Sequence, residues 1–495
     1  MIWNYARIKR EAKERGIHIN DLCALAPKND AFYTGRKSEV AAAEWFADLW
    51  KRFGCSQGTH LRRVHYQIIS QREPIALPTI LSWKDDEKVR HETDVYLNVN
   101  RCWQYLCLTG KWARYLNLVA PEAFVDRRNP EAILNTDWRT PGDWGWEDPT
   151  PGYKMVKAEE SLDELPELPE LPSIEPRLPD LPGLETTGYC TEWGNSLNQQ
   201  AYHIEIWAEK TTMHDILEPL CQQYNVNLIA GLGEMSITSV VDFMERVKKS
   251  QRPARILYIS DYDPAGLGMP ISVARKIEFF QQQSRDDTDI RLQPIVLTSD
   301  QVSEFNLPRV PVKDTDLRKA GWEESHGEGQ VELDALEALH PGQLERIVED
   351  AIFQYFDADL ASKTKDARDH LAERLESERE DVLETYQGKH DSIELAYSEL
   401  VDEMLRLEKE FDKLVEPFQA RVDAHAETMR GIKQNWENLT DNIRYELECV
   451  EVDLEAEDFV LPEPDLQDES DALLYVSERD YLEQLANYKA YRNGE

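Results

Sequence analysis

The sequence predicts a multidomain chain that joins an α/β part to an α-helical part, and three observations carry that expectation. Between 203 and 298, apolar strands alternate with helical stretches, the pattern of a doubly wound parallel sheet with helices on its faces. From 393 onward, apolar residues step alternately by four and by three, the seam of a coiled coil. Between the N-terminal third and the strands, residues 161–185 repeat Leu-Pro at a three-residue step, which marks a boundary. At 495 residues the chain exceeds what one core organises, so about two to four domains are expected.

Along 1–150, the stretches 5–15, 38–53, 60–70, 97–108 and 110–118 carry apolar residues three and four apart and read as short helices of a small helical or winged-helix-like domain. Residues 151–200 form a Pro/Glu-rich linker. In a polyproline helix Leu165, Leu168 and Leu171 share one stripe and Glu167 and Glu170 another, so the segment is a semi-rigid spacer. The α/β domain spans 201–360, with strands HIEIWAE, NVNLIAG, RILYISD and LQPIVLT and helices near 211–224, 236–249 and 269–283.

Residues 361–450 form an acidic coiled-coil arm. Its seam is Ile393, Tyr397, Leu400, Met404, Leu407, Phe411, Leu414 and Phe418, and a second register runs from Val422 through Met429, Ile432, Trp436 and Leu439 to Ile443. Pro417 lies where the registers meet and predicts a kink, or a turn that folds the second helix back on the first. Such a seam serves self-packing or dimerisation. Residues 451–495 are an acidic tail that ends in a short helix, DYLEQLANYKAY.

Hydrophobic residues at 41% exclude a wholly disordered chain. The N-terminus, MIWNYARIKREAKERG, lacks an apolar signal region, and no run of about 18 apolar residues occurs, so a soluble, cytoplasmic chain without a membrane partner is expected. Seven cysteines, scattered and odd in number, suit reduced thiols better than a disulfide framework or a zinc finger. The net charge of −39 describes mainly the C-terminal third: residues 331–495 hold 17 basic and 45 acidic side chains, and residues 1–150 hold 22 and 20. A basic surface on the first half is therefore free to meet phosphate, with Arg62, Arg63, Arg127 and Arg128 as candidates for DNA-backbone contact. The acidic arm is expected to compete with DNA for such residues.

Three acids stand at strand ends: Glu209 after HIEIWA, and Asp261 and Asp263 after RILYIS. Neighbouring strand ends converge in a doubly wound sheet, so these carboxylates are expected to share one pocket and to need a cation there. Hard oxygen ligands suit Mg²⁺, with Mn²⁺ as a substitute. Between them Gly231-Leu-Gly233 turns from a strand into a helix, which lets backbone approach a phosphate. Lys210, beside Glu209, either meets phosphate or is simply exposed. Glu332 and Asp334, two apart, would lie on one face of a strand and complete a second metal position, or form an exposed strand edge. His203 and His214 have no ligand spacing and read as structural.

In this order on this strand pattern, Glu209-Lys210, then the GxG turn, then DYDPAG resemble the Toprim domain of topoisomerases, primases and certain nucleases, over about 203–300. The resemblance implies that Glu209, Asp261 and Asp263 hold Mg²⁺ against a scissile phosphodiester and that Glu209 also acts as general acid/base. Pro264 and Gly266 make the loop more similar to the A subunit of type IIB topoisomerases and the meiotic double-strand-break transesterase, which place a winged-helix domain before Toprim. Thr59-His-Leu-Arg-Arg-Val-His-Tyr-Gln67 resembles their catalytic-tyrosine motif, with Arg62 and Tyr66 on matching positions and His65 in place of a first tyrosine. Carried over, Tyr66 would be the nucleophile left joined to a DNA 5′ end, in a homodimer served by a separate ATPase subunit.

The leading expectation is therefore a Mg²⁺-dependent enzyme that cuts double-stranded DNA, either with water or with Tyr66. Two other classes remain: a non-catalytic DNA-associated assembly protein with a vestigial pocket, and a haloacid-type phosphatase. The phosphatase wants Thr or Val where this chain has Ala265, and it leaves Glu209 unexplained.

Overall fold

The protein's structure, a computed structural model, describes residues 2–85, 88–125, 129–136, 152–157, 178, 180, 181, 184, 187–192, 200–231, 233–314, 316–411, 419–450, 464–466 and 472–494. In chain order come α1 (Tyr5–Arg15), α2 (Lys37–Arg52), α3 (Leu61–Ile69), the antiparallel hairpin β1 (Ala76–Lys84) and β2 (Arg90–Val95), and α4 (Asn100–Tyr115). A second antiparallel pair, β3 (Gly152–Lys157) and β4 (Thr187–Glu192), follows. The α/β succession is β5 (His203–Ala208), α5 (His214–Gln223), β6 (Asn227–Ala230), α6 (Ile237–Ser250), β7 (Ala254–Ile259), α7 (Gly268–Ser284) and β8 (Ile290–Val296). Then come α8 (Ser299–Glu304), α9 (Lys319–His326), α10 (Leu333–Leu339), α11 (Gln343–Phe353), α12 (Leu360–Phe411), α13 (Gln419–Cys449), β9 (Tyr475–Val476) and α14 (Tyr481–Asn493).

These elements form two compact units. One combines Met1–Thr140, Gln200–Asp357 and Pro464–Glu495; the other combines Pro141–Gln199 and Ala358–Glu463. The first unit holds a five-stranded sheet in the order β6-β5-β7-β8-β9, parallel except for β9. Every residue of β5, β6 and β7 is buried, as a parallel sheet covered on both faces requires. Ile204, Ile206 and Ala208 face a cluster that includes Leu217, Leu344 and Val348, while Trp207, Ile256 and Tyr258 face Val240, Phe243, Ile271 and Ile277. The expected doubly wound arrangement of strands and helices is present.

The same face of β5 carries Glu205, fully buried in the sheet. Arg246 grips both of its oxygens, at 2.7 and 2.9 Å, and His203, Trp207 and Asn227 donate to it at 2.8, 2.9 and 3.2 Å. Burial alone would raise this carboxyl, but Arg246 and His203 hold it well below its ordinary range. His203 is thus a structural residue.

Three features differ from the sequence expectation. A single helix, α4 (Asn100–Tyr115), stands where two were expected over 97–118, because Gly110 is a contact and not a break: a Cβ there would stand 3.0 Å from Phe124 and 3.2 Å from Phe46. The β1–β2 hairpin was not anticipated, since β1 buries only Leu81 and so shows no apolar alternation. The end of the tail holds the short helix expected there, α14, and also a strand that was not anticipated: β9 pairs with β8, and Tyr475, Tyr481, Leu485 and Tyr488 enter the sheet's core.

In the second unit, α12 and α13 pack antiparallel. Ile393, Tyr397, Leu400, Met404 and Leu407 meet Met429, Ile432, Trp436, Leu439, Ile443 and Leu447, so the two registers pack on each other within one chain. Leu184 is buried against this hairpin. Pro417 and most of the Leu-Pro repeat lie outside the described residues. Among the described residues no helix is long and apolar enough to cross a membrane, and the cysteines are free.

Replacing Arg246 by Leu is expected to lower unfolding free energy by about 3–5 kcal/mol, because it leaves Glu205 buried without its cation. Denaturant unfolding of the full chain measures this; a change below about 1 kcal/mol would show that the pair is dispensable.

Candidate functional site

The register of β5 against β7 sets Ala208 opposite Ile259, so both strands release their next residues at one carboxyl edge, where ligands of such sheets gather. The Glu209 N–H donates to the Ile259 carbonyl at 3.0 Å, and the Asp261 N–H donates to Glu209 Oε2 at 3.3 Å. Both side chains are buried. Asp263 follows in the loop before α7, and its Oδ1 accepts from Ala265 N–H at 2.7 Å and Gly266 N–H at 2.5 Å. Glycine is required at 266, since a Cβ there would stand 2.1 Å from the Asp261 carbonyl oxygen. The loop is pinned from its other side by paired backbone bonds between Tyr262 and Val331, each 2.9 Å, and by Leu333 N–H donating to Asp261 Oδ1 at 2.8 Å.

Crowding sets the electrostatics. Burial, with the charges of Asp261 and Asp263, pushes the Glu209 carboxyl up to about 7. Burial raises Asp263 as well, against the pull of its two backbone donors. The cation present is Lys210, whose Nζ lies 2.6 Å from Asp261, 3.7 Å from Glu332 and 3.9 Å from Asp334. Burial works against its charge, but the bond to Asp261 prevails and raises Lys210 overall.

Glu332 and Asp334 do not share a strand face as expected. Val331 makes a single bridge, Glu332 is the N-cap of α10 and Asp334 sits in its first turn, a place that favours acids. They reach Lys210 as the acids of a helix start.

The expected DNA-facing residues stand elsewhere in the same unit. His65 is buried, its Nδ1 is 2.8 Å from the Tyr96 hydroxyl, and its ring packs edge-on to Trp103. That anchor turns the opposite face of α3 outward, so Arg62, Arg63 and Tyr66 are all exposed, Tyr66 by 61%. The contacts at the acids come from Lys210 and backbone N–H groups, not from α3. Arg127 and Arg128 lie outside the described residues.

Beside the loop, a cavity of about 640 Å³ is lined by Pro264, Ala265, Gly268, Ser272, Arg318 and Trp322. Arg318 forks onto Asp316 at 2.7 and 2.9 Å, and its charge is a weak counterweight to the burial that raises Asp263. Sequence reading missed Arg318, which belongs to no motif and reaches the site only through folding.

Three carboxylates against one ammonium leave a net negative, all-oxygen donor set, the chemistry of a Mg²⁺ or Mn²⁺ site. As a trio their oxygens do not all lie within 4.8 Å of one another, a spacing met among the described residues by His390, Asp391 and Glu394 alone. Lys210 stands on Asp261 in the role of the cation.

The raised Glu209 makes a pH prediction. Its carboxyl titrates near 4.5 when unfolded and near 7 when folded, so the fold favours the protonated form and loses stability as pH rises between those values. Glu209→Gln is expected to remove about 3 kcal/mol of that loss in metal-free protein, read as a smaller difference in unfolding free energy between pH 5 and pH 8. Equal pH dependence in both proteins would show that Glu209 is not perturbed.

No protein-family model matches the chain, and no curated protein matches it.

Proposed function

We propose that the chain is a Mg²⁺-dependent enzyme that cleaves double-stranded DNA, with a Toprim-type α/β domain and a winged-helix-like domain ahead of it. The observation that carries the reading is the crowding of Glu209, Asp261 and Asp263 at one carboxyl edge of a parallel sheet, with Glu209 pushed up to about 7. Those three residues would hold the ion, which when bound neutralises charge on the phosphate and the leaving oxygen. Before the ion binds, Glu209 exchanges its proton near neutral pH, so loading the site would release that proton and free the carboxylate as a ligand or base. Lys210 would yield Asp261 to such an ion and keep Glu332 and Asp334 as anchors.

The succession α2, α3 and a β-hairpin supports the winged-helix-like reading, with Arg62 and Arg63 on the exposed face of α3 to meet DNA phosphates. A second reading, transesterification, is favoured by the exposure of Tyr66 on that same face. The phosphatase reading leaves unexplained why Glu209 is buried beside Asp261, and acids present at all three positions argue against a vestigial pocket.

Supercoiled plasmid with Mg²⁺ or Mn²⁺ tests this. Cutting is expected from the parent chain and is expected to fall at least about 100-fold in Asp261→Ala. If Tyr66→Phe still cuts, water is the nucleophile; if it does not, and protein stays joined to 5′ ends in the parent reaction, Tyr66 is. No cutting by the parent, or equal cutting by Asp261→Ala, would reject the enzyme reading.

A further inference from the structure

A second set of ligating side chains stands in the other unit, on the helical hairpin. The ligand atoms of His390, Asp391 and Glu394 all lie within 4.8 Å of one another. Helical periodicity brings His390 and Glu394, four apart, onto one face of α12. His390 belongs to the hairpin interface: its ring centroid is 5.6 Å from that of Trp436, and its side chain is only 13% exposed. Yet both ring nitrogens are closed to solvent and have no hydrogen-bond partner. The nearest charge is Asp391 Oδ1, 3.8 Å from Nδ1. Asp391 and Glu394 are themselves exposed to solvent. A neutral imidazole always offers one lone pair, and here packing against Trp436 fixes that ring beside two exposed carboxylates, of which Asp391 accepts from Gln387 Nε2 at 2.8 Å and keeps its second oxygen for a ligand.

We propose that His390, Asp391 and Glu394 form a binding site for a borderline divalent transition-metal ion, of the Zn²⁺ or Co²⁺ class. One imidazole nitrogen with two carboxylate oxygens suits such ions, whereas Mg²⁺ prefers oxygen donors throughout. Three ligands leave a further position for water or a second ligand. The site is separate from the strand-end acids, and its ligands differ in kind from theirs. A bound ion would tie two successive turns of α12 together beside the Trp436 contact.

Co²⁺ titration of the full chain, followed by visible absorption and competed with Zn²⁺, tests the assignment. In an Asp261→Asn chain, which disables the strand-end acids, saturation at about one equivalent is expected, with the affinity that the visible signal reports in the parent. Affinity is expected to fall at least about tenfold in His390→Ala and in Glu394→Gln. Glu394 is exposed, so its replacement leaves the Trp436 packing intact and guards against a loss caused by misfolding in His390→Ala. Absence of a saturable signal in the parent, or unchanged affinity in either ligand variant, would overturn the proposal.

Discussion

One buried cation holds the α/β unit together. Arg275, on α7, has no solvent exposure, and every group that compensates its charge comes from a different stretch of chain or from the next turn. Asp30 accepts from its Nε at 3.2 Å, Glu278 from its Nη1 at 2.8 Å, and the Tyr481 hydroxyl from its Nη2. The guanidinium lies 4.1 Å from the Phe32 ring centroid and 4.3 Å from that of Tyr481. Tyr481 in turn donates to the Leu22 carbonyl at 2.7 Å and stacks on Trp3 at 4.1 Å. A charge taken out of water is tolerated only when such partners surround it. The N-terminal segment, α7 and α14 must therefore be assembled at once. The Asp261–Asp263 loop runs directly into α7, so the position of the acids rests on this anchor.

The same sheet treats its acids in two ways. Glu205 is matched by a bidentate Arg246 and three further donors, and it is held ionised. Glu209, four residues on, has one backbone donor and two carboxylate neighbours, and it is pushed toward neutrality. The contrast marks the first as structural and the second as a group left short of positive charge. Lys210 bonds Asp261 directly and acts on Glu209 more weakly than burial, the two carboxylates or the backbone donor.

Much of this was legible in the sequence, for physical reasons. Strands buried on both faces read as largely apolar runs, and two of them, β5 and β7, end at acids on the carboxyl edge, so Glu209, Asp261 and Asp263 could be named in advance. Heptad spacing marked the two registers of α12 and α13, and their packing on each other is one of the alternatives that spacing left open. What was hidden depends on contacts distant in sequence. β9 is two residues long and has no period to detect. The outward turn of Tyr66 depends on His65 bonding Tyr96, which lies on the far side of the β1–β2 hairpin. Charge counting could not foresee that Lys210 would be shared among Asp261, Glu332 and Asp334, because α10 supplies two of the three.

The discontinuity of the α/β unit orders its assembly during synthesis. When residue 357 has been made, both candidate acid-bearing strands and the exposed face of α3 exist, yet β9 and α14 do not. Arg275 then lacks Tyr481, β8 has a bare edge, and the core surface that receives Tyr475 and Tyr488 is open. The whole helical hairpin must be translated before the last pieces arrive. A ribosome-bound chain that stops short of β9 and α14 thus carries the acids without the anchor on which their position rests.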